Sequence, residues 1–305
     1  MNLEIITPQQ IQQRQYWISE ISQLSGNFGA DSQRLEQEIT SEITRHGVSS
    51  LIGHLRLCGA IPEQYGHDTS EEKLYSKYTD VVIAQAYAAM GITSMVLKER
   101  ADAADVECVT PRYSFVADAK AFRLSRTAKN QKDFKVQAMD GWKKGKPYAM
   151  VVCPVYQLPS RTSQIYQQAI TRGVRISTYT HLSVLVRYAQ YESRDRSIDL
   201  LQDIFKTVDT LNPSKIASIY WQAINRVMIE FDPSIRDVWI EEKKASSESI
   251  YLDREEALQF LASEREIMMK LSKEEAIREI LKSSKIDNKI ASVRSVSDNS
   301  ILSIQ

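Results

Sequence analysis

The chain has 305 residues, with 39 Lys and Arg balanced by 39 Asp and Glu, and 43% of its residues are hydrophobic. That is an ordinary globular composition, long enough for a sizeable core, and no apolar run approaches the ~18 residues a membrane span needs. Three widely spaced cysteines argue against a disulfide framework or a cysteine zinc site, four histidines form no metal-ligand pattern, and ten glycines hold neither a P-loop nor a Rossmann fingerprint.

The charge balance is uneven along the chain. Residues 112–146 hold ten Lys or Arg against three acids, while the remainder holds 29 against 36. A basic stripe in an acidic chain can bind phosphates. It can equally be a solvated face. The polar N-terminal stretch sets the expectation of an intracellular, cytoplasmic protein.

In chain order, residues 9–24 carry Ile11, Trp17, Ile18, Ile21 and Leu24 at near-helical spacing. Asp31 is a candidate cap for a second helix with Leu35, Ile39 and Ile43 on one face. A third helix is expected over 48–57. Gly59, Pro62 and Gly66 break the pattern before a long helix over 70–90, ended by Gly91. Strands are expected over 93–97, 106–109, 113–122 and 148–155, the last being apolar enough to be buried on both faces. A helix over 163–171, a strand over 174–179 and a helix over 181–191 follow. From 195 onward the periodicity is helical, with a charged linker expected near 241–248, helices over 253–271 and 273–281, and a loose Ser-rich tail. The fold expected is α/β, a mixed central sheet flanked by helices, with helical N- and C-terminal regions. The expected division is a helical region at 1–68, a core at 69–192 and a helical region at 193–305.

Asp118-Ala119-Lys120 sits in the strand expected over 113–122, so Asp118 and Lys120 share a face. Thr110-Pro111-Arg112-Tyr113 reads as the turn of a hairpin. A hairpin centred between Pro111 and Arg112 sets Asp105 opposite Asp118, and opposed like charges destabilise a sheet. A divalent cation between them removes that penalty, and oxygen ligands with open positions suit Mg²⁺. Such an ion polarises a phosphoryl oxygen, and Lys120 can orient water or neutralise developing charge. Metal-assisted phosphodiester hydrolysis is the reaction class this suggests. Against it, Asp-x-Lys arises by chance about once in a chain this charged, and both acids could be solvated strand ends.

A third acid could come from the long helix. Thr69-Ser70-Glu71-Glu72 is a capping box in which Glu72 reaches the Thr69 amide; Asp68 with Glu71 is the competing box. Glu71 or Glu72 could reach a metal, or either could simply cap.

The segment Val116-Ala117-Asp118-Ala119-Lys120, followed by Phe122-Arg123-Leu124-Ser125-Arg126-Thr127-Ala128-Lys129-Asn130-Gln131-Lys132-Asp133-Phe134-Lys135-Val136, closely resembles the HindIII type II restriction endonucleases. Weaker similarity covers Ile61-Pro62-Glu63, Glu72-Lys73-Leu74-Tyr75-Ser76-Lys77, residues 148–154, Ser163-Gln164-Ile165 and His181-Leu182, about 57–185 in all. The resemblance implies a restriction-endonuclease-like core of the PD-(D/E)xK type. It also implies a homodimer that cuts both strands of a short DNA palindrome with Mg²⁺, leaving 5′-phosphates, with a companion methyltransferase in a bacterial host. Near identity in the basic run hints at the family's target, AAGCTT. Carried over, Asp105 and Asp118 are metal ligands joined by the Ala119 carbonyl, Lys120 is the catalytic lysine, and a helix acid is placed at Glu72. Asp105 departs from the motif by following Ala104 instead of proline.

Arg123, Arg126, Lys129, Lys132 and Lys135 recur every third residue, as on one side of a helix. With Ser125, Thr127, Asn130 and Gln131 they are the expected DNA contacts. Arg can read guanine, and Asn130 or Gln131 can read adenine. A repair or structure-specific nuclease of the same fold is the rival reading, and a DNA-binding protein with a dead site the third. Residues 198–208 and 258–271 are candidate dimer surfaces, or equally ordinary core.

Overall fold

A computed structural model of the chain describes residues 3–97, 103–126 and 134–295. These fall into two compact units divided between Ala257 and Leu258. The first begins with the helices α1 (Pro8–Ser22), α2 (Phe28–His46) and α3 (Val48–Leu57). Then come α4 (Ser70–Ala89), β1 (Thr93–Val96), β2 (Val106–Val109), β3 (Ser114–Ala119), α5 (Val136–Trp142), β4 (Tyr148–Cys153), α6 (Gln164–Arg172), β5 (Val174–Thr178) and α7 (Tyr179–Tyr191). Helices α8 (Arg194–Thr210), α9 (Ala217–Phe231) and α10 (Ile235–Met269) follow.

The five strands form one mixed sheet in chain order. The β1–β2 and β2–β3 pairs are antiparallel, and β3–β4 and β4–β5 are parallel. Helix α4 lies against β1, β2 and β3, α5 against β4 and β5, and α6 against β5. This is the expected α/β architecture. One hydrophobic core runs from Trp17 to Val238, continuous across the expected divisions at 68/69 and 192/193. The N-terminal helices pack on α4, which in turn lies against the sheet.

Four local expectations differ from the structure. The cap of α2 is Asn27, whose side chain accepts from the Ala30 amide; Asp31 lies inside the first turn, buried, accepting from the Ser25 amide. Strand β3 ends at Ala119, and Phe122 forms an isolated parallel bridge with Ala60. Residues 123–126 form a turn, so the three-residue spacing of the basic run is not a helix there. The charged stretch at 241–248 is the middle of α10 and not a linker. Its acids face inward with partners: Glu242 accepts from Arg56, Ser183 and Arg187, and Glu248 accepts from the amides of Glu4, Ile5 and Ile6. Buried acids with this many donors are stable in a helix.

In the second unit, α11 (Lys273–Ser283) and α12 (Ile286–Ser295) touch each other and bury no side chain. Ser272 caps α11 through a capping box with Glu275.

Candidate active site

The β2–β3 hairpin has the expected register, with Val106 facing Ala117 and Glu107 facing Val116. Continued by one residue, that register sets Asp105 opposite Asp118. Thr110 closes the turn, its amide donating to the Tyr113 carbonyl over 2.8 Å. Beyond Asp118 the chain is held on both sides: the Lys120 amide donates to Val152 over 2.7 Å, and the Tyr179 hydroxyl donates to the Lys120 carbonyl over 2.9 Å. Asp118 is thus carried by the middle strand of the sheet, and Lys120, just past its end, is anchored to β4 and α7.

Asp118 is fully buried. Neither of its oxygens has a hydrogen bond of normal geometry among the described residues. Both are held by ion pairs, Oδ2 with Lys120 and Oδ1 with the Lys135 ammonium 3.6 Å away. Burial works against ionisation of Asp118, but Lys120, Asp105 and Lys135 together hold its carboxyl below the usual range. Burial opposes the charge on Lys120 too, and Asp118 outweighs it, raising the ammonium pKa. Asp105 goes the other way: burial, then the adjoining Asp118 carboxylate, push it up to about 6 against the pull of Lys77 and Lys120. Two neighbouring acids with shifts in opposite directions make this a candidate functional site.

A third carboxylate lies near them on the same helix as Glu72. Asp80 lies buried on α4. Its carboxyl is raised well above the usual range, first by burial and then by the charge of Asp105, with Asp118 adding to it. The Lys77 ammonium bridges the two, 3.3 Å from Asp80 and 3.4 Å from Asp105. Asp80 sits among Tyr78, Val81 and Val82, on the buried part of the helix. An acid inside an apolar stripe was the legible signal for it.

Among the described residues, no group of three or more His, Cys, Asp or Glu side chains is gathered closely enough to hold a metal ion. The donor chemistry nevertheless fits a hard divalent cation. Two opposed carboxylates, one with both oxygens lacking a proper hydrogen bond, provide the one or two protein carboxylates that Mg²⁺ takes. A cleft of about 610 Å³ opens beside them, lined by Ile61, Glu72, Lys120, Phe122, Arg123 and Lys135 among others.

A family model described as HindIII restriction endonuclease matches residues 14–297. The type II restriction enzyme HindIII of Haemophilus influenzae is 32% identical over 263 residues, covering 83% of this chain and 85% of that one. The chain belongs to the HindIII restriction endonuclease family. The match reaches well beyond residues 57–185, taking in most of the N-terminal helices and all of α8 to α12.

Within this family member, Glu72 lines the cleft together with Lys120. Its amide donates to the Thr69 hydroxyl, and its carboxylate accepts from the Asp68 amide over 2.6 Å and pairs with Arg123 over 3.1 Å. The Thr69 arm of the expected box is present, and the Glu72 carboxylate takes the Asp68 amide in place of the Thr69 amide. Glu72 and Asp80 are eight residues apart, about 12 Å along the helix.

The expected DNA contacts divide. Arg123 donates to the Gly66 carbonyl over 2.7 Å besides pairing with Glu72, and Ser125 donates from its amide and hydroxyl to Glu63. These two tie the turn after β3 to the 63–72 segment. Arg126 stacks over the Phe122 ring at 5.2 Å. Lys135 lies over Trp142 at 5.3 Å and begins α5 from a left-handed backbone position, φ 45°. Thr127, Lys129, Asn130, Gln131 and Lys132 lie outside the described residues.

Proposed function

We propose that this family member is a type II restriction endonuclease that hydrolyses both strands of duplex DNA at a short palindrome. One observation carries the reading: Asp105 faces Asp118 across a hairpin, with Lys120 against Asp118, in a chain matched over most of its length to the family. Mg²⁺ is the proposed cofactor, held by Asp105, Asp118 and the Ala119 carbonyl, with Asp80 behind them. When bound, it supplies Lewis acidity toward the scissile phosphate.

The chain's own residues do the rest. Asp118 holds Lys120 charged in a buried position, where an ammonium stabilises developing phosphate charge far better than in water. Lys120 also donates to the attacking water and orients it. Lys135 and Arg126 offer positive charge to the backbone beside the cleaved bond, which positions DNA without reading it. Arg123 and Ser125 shape the cleft wall. Residues 127–132 are the proposed readers of sequence, and AAGCTT is the proposed target, with cleavage leaving 5′-phosphates. A palindromic site calls for a two-fold dimer with one active site per strand. A companion methyltransferase would protect the host.

The test is digestion of a plasmid with mapped sites, with Mg²⁺ and with EDTA, followed by sequencing of the ends. Discrete fragments ending at one palindrome are expected, with none in EDTA. Cutting only at nicks, flaps or junctions would favour the repair-nuclease reading. Asp118→Asn is expected to lower cleavage at least ~10³-fold with Mg²⁺ present, the scale of losing a preorganised charged group.

A further inference from the structure

Lys77 occupies a cation's position. It lies one helical turn before Asp80 on α4, and its ammonium is 3.3 Å from Asp80 Oδ2 and 3.4 Å from Asp105 Oδ1. A tight ammonium–carboxylate contact is about 2.7–2.9 Å. Lys77 is therefore shared between carboxylates from two elements and docked closely on neither. Among the described residues, Asp80, Asp105 and Asp118 are matched in number by Lys77, Lys120 and Lys135.

That matching has a consequence for any divalent ion. Added to this set with all three acids ionised, it leaves two positive charges uncompensated unless an anion enters or an ammonium leaves. Lys120 is joined directly to Asp118 and is 12% exposed, and Lys135, though 42% exposed, reaches Asp118 alone and neither Asp80 nor Asp105. Lys77 holds the two other acids and is 29% exposed, so it has access to solvent.

We propose that Lys77 is the resident counter-ion of Asp105 and Asp80, competing with a divalent cation for these carboxylates. The inference rests on the reading of Asp105 and Asp118 as cation ligands. The opposite role would be a strut that holds Asp105 ready for the ion. The two differ in sign: removing a competitor tightens cation binding, and removing a strut weakens it.

The experiment is titration of the full-length chain with Mn²⁺, without DNA, followed by the electron paramagnetic resonance of the free ion. Lys77→Met and Lys77→Gln are expected to tighten Mn²⁺ binding about ten-fold, the order expected for deleting one screened charge at contact range. Lys77→Arg keeps the charge and should stay within about two-fold of the parent chain. Without Mn²⁺, Met and Gln at position 77 should lower the melting temperature, and Mn²⁺ should raise it more than in the parent. Equal or weaker Mn²⁺ binding by both neutral variants overturns the proposal. So does failure of both to fold even with Mn²⁺, because a replaceable counter-ion would be restored by the ion. If no chain binds Mn²⁺, the parent included, the cation reading itself falls and takes this inference with it.

Discussion

At the scale of residues, environment separates acids that look alike in sequence. Glu72 lines the cleft, with a cap to make and Arg123 to pair with. Asp80 is buried and feels Asp105 and Asp118. Asp80→Asn is expected to reduce single-turnover cleavage by at least ~10²-fold, as for a group acting on the reacting centre. Glu72→Gln should reduce it only a few-fold and lower stability by about 1 kcal/mol through the weakened cap and ion pair. Measured at saturating DNA and Mg²⁺, the reverse order would sink the placement of the third acid at Asp80. The signal for Asp80 was present in α4, but the capping pattern at 69–72 was the stronger local one. Only distance to the hairpin tells the two apart.

At the scale of elements, α7 is tied to α9 through His181. Its Nδ1 accepts from the Thr178 hydroxyl at 2.6 Å, and Nε2 donates to Asn225 Oδ1 at 3.0 Å. This pattern satisfies a neutral ring. Burial lowers its pKa to about 4, with the Asn225 bond opposing. Between pH 6.5 and 4 the unfolded chain takes up a proton that the folded chain refuses. Stability is thus complete above pH 6.5 and falls as pH drops toward 4, by roughly 3 kcal/mol from this group. His181→Gln should flatten that acid slope when urea unfolding is compared at pH 7.5 and 4.5. An unchanged slope would show that other groups govern it. Helix α10 gives a second test. Ala245 is fully buried inside the stretch that reads as a linker. Ala245→Pro is expected to destabilise by about 3 kcal/mol or more, since proline breaks a helix interior. A near-neutral effect in urea unfolding would restore the linker.

At the scale of the whole molecule, burial is concentrated before residue 258. The buried residues of α10 end at Ala257, and α11 and α12 have none. A chain truncated after Ala257 is expected to unfold cooperatively within about 3 °C of the full chain, because little buried area is lost. Loss of cooperative folding in calorimetry would mean that the last 48 residues stabilise the rest. Net charge is read at this scale as well. The chain's zero sum conceals +7 over 112–146, and the matched acids and lysines at the hairpin repeat that balance locally. A chain so balanced should bind duplex DNA weakly unless the phosphate backbone meets the basic segment itself.

The sequence by itself determined most of the helices and strands and the hairpin register, and through that register the opposition of Asp105 and Asp118. These depend on periodicity and turn chemistry, which act over a few residues. The polar run from Phe122 to Val136 pointed to the family for a related reason: its residues carry their identity without reference to the rest of the chain. Tertiary structure alone decided that Asp80 and Lys77 meet Asp105, that Glu63 and Glu72 take up Ser125 and Arg123, and that the acids at 242 and 248 are buried partners inside a helix. Each of these joins elements distant in the chain. Whether a charged side chain is solvated, capping or active depends on which opposite charge the fold brings within a few ångströms of it, and local spacing carries no information about that distance.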